Sequence, residues 1–201
     1  PRGAPRAAPV PFTLTAIPMP DDIFDIVDEN DRVVGSAPRS EVHAKGLLHR
    51  SAHVLIFSDS GGGRKILLQK RSKFKDSHPG IYTTSCSGHV DSGETYDEGA
   101  VREMREETGL RVSPSGLLKI GKIRACRDTG NEFSYVYELE IPESAPLEFP
   151  PEEVESLDWA YVADFEKSLS EHPENFTPAF ARVYEFYKER AGGARQKQKS
   201  K

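Results

Sequence analysis

The sequence predicts a mixed α+β domain, and three observations carry that expectation. Short β-prone runs bounded by turn residues recur along the chain. A well-capped helical segment interrupts them between Thr95 and Gly109. Two amphipathic segments then close the chain. Strands, a helix, more strands and more helices in that order argue for α+β.

Each element has a local cause. Ile23 to Val27 is a short, mostly apolar, β-prone run and is predicted as a strand. Asp28-Glu29-Asn30-Asp31 marks a turn, after which Val33-Val34 resumes extended structure. Pro38 to His49 is expected to be a loop with a helical turn around Ser40 to Ala44. His53 to Phe57 and Lys65 to Gln69 read as two strands across a Ser58–Gly63 hairpin. Lys70 to Gly80 is polar and basic, ends in Pro-Gly, and reads as a loop. Tyr82 to Val90 should hold short strands. Thr95 can cap the next helix, with Glu98 three residues on as in a capping box. Ala100, Val101 and Met104 supply the buried stripe of that helix, and Gly109 ends it after about Thr108. Leu117 to Cys126, Phe133 to Ile141 and Val154 to Val162 are three further strands. Ala163 to Glu171 and Thr177 to Arg190 are amphipathic helices.

The chain of 201 residues suits one main domain with a sizeable core. Its 36% hydrophobic and 29% charged residues fit a globular protein. A net charge of −5 does not suit a nucleic-acid polymer as partner. No apolar run reaches the roughly 18 residues of a transmembrane helix, so no membrane association is predicted. Two cysteines, Cys86 and Cys126, imply no disulfide framework and a reducing compartment, in the first place the cytoplasm. Residues 1–20 hold six prolines and no acid and are expected to be a disordered leader. The alternative is the remnant of a transit peptide, which would place the protein in an organelle. The domain is expected over 21–191, with a basic, disordered tail over 192–201.

The richest stretch is Gly88 to Leu110, GHVDSGETYDEGAVREMREETGL. Glu103, Glu106 and Glu107 fall at i, i+3 and i+4, which places three carboxylates on one helical face. Like charges so placed repel unless a cation sits among them, and a hard divalent cation takes oxygen ligands. Gly88, Glu94, Arg102-Glu103, Met104, Glu106-Glu107, Gly109 and Leu110 resemble the Nudix box, G-x5-E-x7-R-E-U-x-E-E-x-G-U, at every specified position.

The resemblance implies a Nudix fold, a mixed β-sheet sandwiched between α-helices. It implies hydrolysis of a diphosphate linked to another moiety, with Mg²⁺ as cofactor and Mn²⁺ as a substitute. Glu103, Glu106 and Glu107 would be the metal carboxylates, and the Gly88 neighbourhood would offer a carbonyl ligand. Arg102, four residues after Glu98 and four before Glu106, would pair along the helix and orient the acids. Glu94 would close the loop onto the helix. A helper carboxylate outside the box is expected from Glu153 or Glu132; the bland reading of each is an exposed loop acid. Lys70, Arg71, Lys73 and Lys75 read equally as a phosphate-binding loop, with Arg71 and Lys70 foremost, and as a solvated charged loop. Tyr82, Phe133, Tyr135 and Trp159 read either as a platform for a base or as core aromatics. The implied partner is a small nucleotide or isoprenoid diphosphate, and a homodimer is compatible with the family.

Further segments resemble the isopentenyl-diphosphate isomerase-like branch of that family. They are Glu41 to Arg50, Leu68 to Ser72, Lys75 to Gly80 and Asn131-Glu132-Phe133. Isomerases use histidine ligands for a second metal, a cysteine acid/base and paired acids on a later strand. His49, His89 and Glu132 match those positions, and His43 matches loosely. Three departures favour the hydrolase. Ser87 stands where the isomerase cysteine would, with Cys86 one residue early, and on a strand that shift turns the side chain to the other face. Gly130 stands where the second acid would. The box is intact, whereas isomerases carry a degenerate one. A third class, an inactive binding module on the same fold, is disfavoured by the complete set of glutamates. His53 is expected to be packed or hydrogen-bonded, and His78 and His172 to lie at the surface.

Overall fold

A computed structural model describes residues 21–60 and 62–199. The expected leader over 1–20 lies outside the described residues. The chain opens with β1 (Ile23–Val27) and β2 (Val33–Pro38), which pair antiparallel as a two-stranded sheet. Between them Asp31 takes a left-handed φ of 62°. Its buried carboxylate receives Arg50 Nε at 2.6 Å, Tyr96 Oη at 3.0 Å and the Lys122 ammonium. The turn is thereby tied to the body of the domain. The helical turn expected near Ser40 is a full helix, α1 (Arg39–Lys45), closed by Gly46 in the left-handed conformation.

The main sheet is built on β3 (His49–Ser60) and β4 (Gly63–Arg71), both longer than their apolar runs suggest. It continues with β5 (Tyr82–Thr83), β6 (Cys86–His89), β7 (Leu118–Ile123), β8 (Glu132–Glu140) and β9 (Val154–Tyr161). Its helices are α2 (Tyr96–Thr108), α3 (Val162–Glu171) and α4 (Pro178–Lys199). The strand order is β5-β4-β3-β8-β7, with β9 also on β4 and β6 also on β3. β3 and β8 run parallel along His49–Phe57, and the other named pairs are antiparallel. On its other edge β3 pairs with β4 through Phe57–Ser60 and with β6 through Ser51–Val54. The two strands diverge there, and the buried Ser85 hydroxyl bridges the gap. It accepts from Ile56 N–H at 2.8 Å and donates to the Leu67 carbonyl at 2.6 Å.

Strand alternation sorts the core onto two faces. Ala52, Val54, Ile56, Leu67, Cys86 and Tyr137 pack with Ala100 and Met104 of α2. Leu55, Phe57, Ile66, Leu68 and Val136 pack with Phe165 of α3 and with Phe180, Val183, Tyr184 and Tyr187 of α4. The mixed sheet therefore lies between helices, as the resemblance implies. Two expectations are corrected. Lys70 and Arg71 belong to β4 and not to a loop. The tail expected over 192–201 is helical as far as Lys199. Gly192 and Gly193 each disfavour a helix by about 1 kcal/mol. Against that, Ala191 is buried, and Arg195 donates two bonds, 3.0 and 2.9 Å, to the buried Glu138 carboxylate. Both cysteines are free thiols, and no described helix is long and apolar enough to cross a membrane.

Candidate active site

α2 begins as its sequence dictates. The Thr95 hydroxyl accepts from Glu98 N–H at 3.3 Å, and Thr95 N–H donates in return to the Glu98 carboxylate at 2.8 Å. Gly109 ends the helix with φ 73°. A capped helix so short presents its acids in fixed order along one face.

Glu103 points at β6. A Cβ built on Gly88 would lie 2.0 Å from Glu103 Cδ, so only glycine leaves room for that carboxylate. Burial first, and then the adjacent Glu107 carboxylate, push Glu103 up to about 8, against the pull of Arg102. Burial pushes Glu107 up as well, against the Ser87 N–H at 3.0 Å and the Cys86 and Gln69 side chains. Glu106 is exposed. Arg102 ties the motif together. Its Nε and Nη2 grip both oxygens of Glu94 at 2.9 and 3.0 Å. Its Nη1 reaches Glu103 at 2.7 Å and Glu106 at 3.2 Å, and Nη2 also donates to the His89 carbonyl at 2.8 Å. Arg102 does not use Glu98, which is taken by the cap. One guanidinium cannot neutralise three carboxylates, so the group fits a hard divalent cation.

Along β4, Gln69 and Arg71 share the α2 face with Leu67, while Lys70 points the other way. Lys70 is paired there with Glu155 at 2.7 Å. The two candidates for phosphate binding are thus separated. Burial pushes the Arg71 guanidinium down, Glu107 and Glu153 act against that, and Arg39 adds to it. Arg39 opens α1 and was not singled out by any motif. Glu153 is paired with Lys75, whose charge also acts on Glu107. Of the two helper candidates, Glu153 lies on the Arg71 side of the carboxylates.

Glu132 lies on the opposite face of the sheet. It pairs in register with His49, and its Oε1 is 3.6 Å from His49 Nε2 and 3.3 Å from His89 Nε2. Burial pushes its carboxyl up, but the contacts with the two histidines outweigh that and hold it well below the usual range. Ring nitrogens of His43, His49 and His89 lie within 4.8 Å of one another. His49 Nδ1 meets the Leu47 carbonyl at 2.8 Å, and a carbonyl only accepts. In the neutral ring Nε2 is then a bare lone pair, buried without a hydrogen-bond partner and facing an anion. A proton or a borderline metal between them would resolve that clash, so these residues fit such an ion. The Phe24 ring stacks on His89 at 4.5 Å and on His49 at 5.9 Å.

β6 separates the two groups by alternation. Cys86 packs on the α2 side, and Ser87 pairs with His53 on the histidine side. Gly130 has φ 67° and lies outside β8, so an acid there would be strained as well as off the strand. The four aromatics pack on the core, three of them only half-buried. Phe133 is buried, Trp159 and Tyr135 pack on the α2 cluster, and Tyr82 packs on the other. His53 is buried, with Nδ1 3.1 Å from the Thr84 hydroxyl. Gln69, bonded to Glu107, and Phe24, stacked on His89, reach the two groups from positions the box does not include.

The NUDIX domain family model matches residues 47–180. Over 123 residues the chain is 35% identical to a Nudix hydrolase of Clostridium acetobutylicum, and the match covers 59% of each protein. It is 33% identical over 179 residues to a Nocardia farcinica protein named isopentenyl-diphosphate Delta-isomerase, covering 84% of this chain and 98% of that one. The crystal structure of DR0079 from Deinococcus radiodurans is similar with a TM-score of 0.63 at 25% identity, over 75% of this chain and 90% of that one. The carboxylate helix, its arginine and the glycine that admits Glu103 all fall inside residues 47–180, and the chain belongs to the Nudix family.

Proposed function

We propose that this chain is a Mg²⁺-dependent pyrophosphohydrolase acting on a small nucleotide or isoprenoid diphosphate. The observation that carries the reading is Arg102 joined to Glu94, Glu103 and Glu106 beside the half-buried Glu107. Held by Glu103, Glu106 and Glu107, with the Gly88 carbonyl as a further ligand, Mg²⁺ would supply charge neutralisation at phosphoryl oxygens and a bound water of lowered pKa. Mn²⁺ would substitute. Arg102 keeps the carboxylates in place. Arg71, on the face of β4 that carries Glu107's partner Gln69, would offer its guanidinium to the diphosphate oxygens. Glu153 is the candidate for taking the water's proton, once Lys75 releases it to bind phosphate. No side-chain nucleophile is needed, because positioning and charge stabilisation carry phosphoryl transfer. The net charge of −5 and the two free cysteines suit a small metal-bound anion and a reducing compartment such as the cytoplasm. A homodimer fits the family.

The second reading is isopentenyl-diphosphate isomerase, and the histidine group with Glu132 is what favours it. Against it stand Cys86 on the wrong face, Ser87 in its place and the left-handed Gly130. An inactive binding module would not need the full set of acids. The test is to incubate the protein and Mg²⁺ with isopentenyl diphosphate and, separately, with a panel of nucleotide and prenyl diphosphates. Phosphate release and dimethylallyl diphosphate are followed together. Cleavage without isomer formation is expected, whereas isomer formation without cleavage would overturn the hydrolase.

A further inference from the structure

Residues 21–46 fall outside the region matched by the family model, yet β1 is bonded to the loop that precedes α2. Phe24 forms an antiparallel bridge with Asp91, and Ser92 N–H donates to the Ile23 carbonyl at 2.8 Å. The next side chain along, Asp25, receives the Ser92 hydroxyl at 2.7 Å and Gly93 N–H at 3.3 Å. Gly93 has φ 87°, a left-handed turn that must be held in place for the chain to reach Glu94. Glu94 in turn accepts Asp91 N–H at 3.0 Å and both arms of Arg102, and Arg102 holds Glu103 and Glu106.

We propose that Asp25 is a positioning residue for the carboxylate cluster, acting through Ser92 and Gly93 on Glu94 and Arg102. The inference rests on the metal-dependent reading above and adds a residue that the box does not contain. Without the Asp25 acceptor the loop loses two bonds at its left-handed turn. Glu94 then shifts, and the arginine that orders the metal carboxylates shifts with it. Groups that orient metal ligands in this way affect metal affinity by about 10- to 100-fold.

The test uses the full chain as wild type, Asp25→Ala, Asp25→Asn and Ser92→Ala. Mg²⁺ is titrated against the rise in Tm, which reports binding to the folded state without any turnover. Hydrolysis is followed in parallel. Asp25→Ala should keep a wild-type circular dichroism spectrum and need about 10-fold more Mg²⁺ for half the effect. Asp25→Asn retains one acceptor oxygen and should recover most of that loss. Ser92→Ala removes one of the two bonds and should move the midpoint in the same direction by about threefold. A metal-free Tm that falls while the Mg²⁺ midpoint stays within about twofold would overturn the proposal, since a merely structural contact behaves that way. Should Asp25→Ala not fold, the Ser92→Ala midpoint decides on the same terms. A wild-type protein without any Mg²⁺ response would overturn the metal reading and the proposal together. A wild type that responds alongside equally responsive variants would overturn the positioning role alone.

Discussion

The two faces of β6 make an instructive contrast. Cys86 and Gly88 look toward α2 and its carboxylates, while Ser87 and His89 look toward His49, His53 and Glu132. One face offers oxygen donors around Arg102, and the other offers imidazole nitrogens around one half-buried carboxylate. The first suits a hard ion and an anionic substrate, the second a borderline ion or a shared proton. Which face a thiol at this point addresses thus turns on a one-residue shift in a four-residue strand. A cysteine at 87 would address the histidine face; the cysteine at 86 addresses Glu107.

Removing a donor from the carboxylate face should have the largest effect. Glu106→Gln is expected to lower kcat by roughly several hundred-fold with little change in Tm, because Glu106 is exposed and makes no core contact. A folded variant with near-normal turnover would remove the metal assignment. Gly88→Ala comes next. Its Cβ would meet Glu103 Cδ at 2.0 Å, and displacing that carboxylate should reduce kcat by about 100-fold. The same change overpacks the site and should cost about 1–3 kcal/mol of stability, read from denaturant melts.

The histidine face should answer to acid instead of to Mg²⁺. Burial pushes His53 down to about 4, with His89 adding to that and Glu132 opposing it. An unfolded histidine titrates near 6.5, so between those values the unfolded chain binds more protons. The contribution of His53 is complete above about pH 6.5 and is lost as pH falls toward 4, a change on the order of 3 kcal/mol. Tm measured across that window should fall less steeply in His53→Gln. An unchanged slope would mean that His53 is solvated in the folded protein. His49→Asn should leave Mg²⁺-dependent cleavage within about threefold of wild type, since His49 lies across the sheet from the carboxylates. Collapse of activity in that variant would merge the two faces into one centre.

The smallest effect is expected from Cys86→Ala. Glu107 would keep the Ser87 N–H and Gln69, and a thiol is a weak donor, so kcat should change by less than about threefold. A large loss would return the cysteine to the chemistry and favour the isomerase.

What the sequence determined by itself is local in origin. Thr95 and Glu98 cap α2 and Gly109 ends it, because capping bonds form between near neighbours. The face shared by Glu103, Glu106 and Glu107 follows from helical periodicity, and β1 coincides with its apolar run. The two-sided core was legible in outline, since the strand runs and the amphipathic helices each carry their own pattern. Lengths were less legible: β3 extends back to His49 because pairing with β8, not apolar content, sets its start. Nor could composition foresee a helix through Gly192 and Gly193, where distant Glu138 holds Arg195. Tertiary structure alone decided that Lys70 turns to Glu155 while Arg71 stays on the α2 face. It also decided that Glu132 belongs with histidines from α1, β3 and β6, and that Asp25 braces a loop far along the chain. These depend on strand register and on which segments meet across the sheet, and register is a property of pairs of strands that neither strand encodes alone.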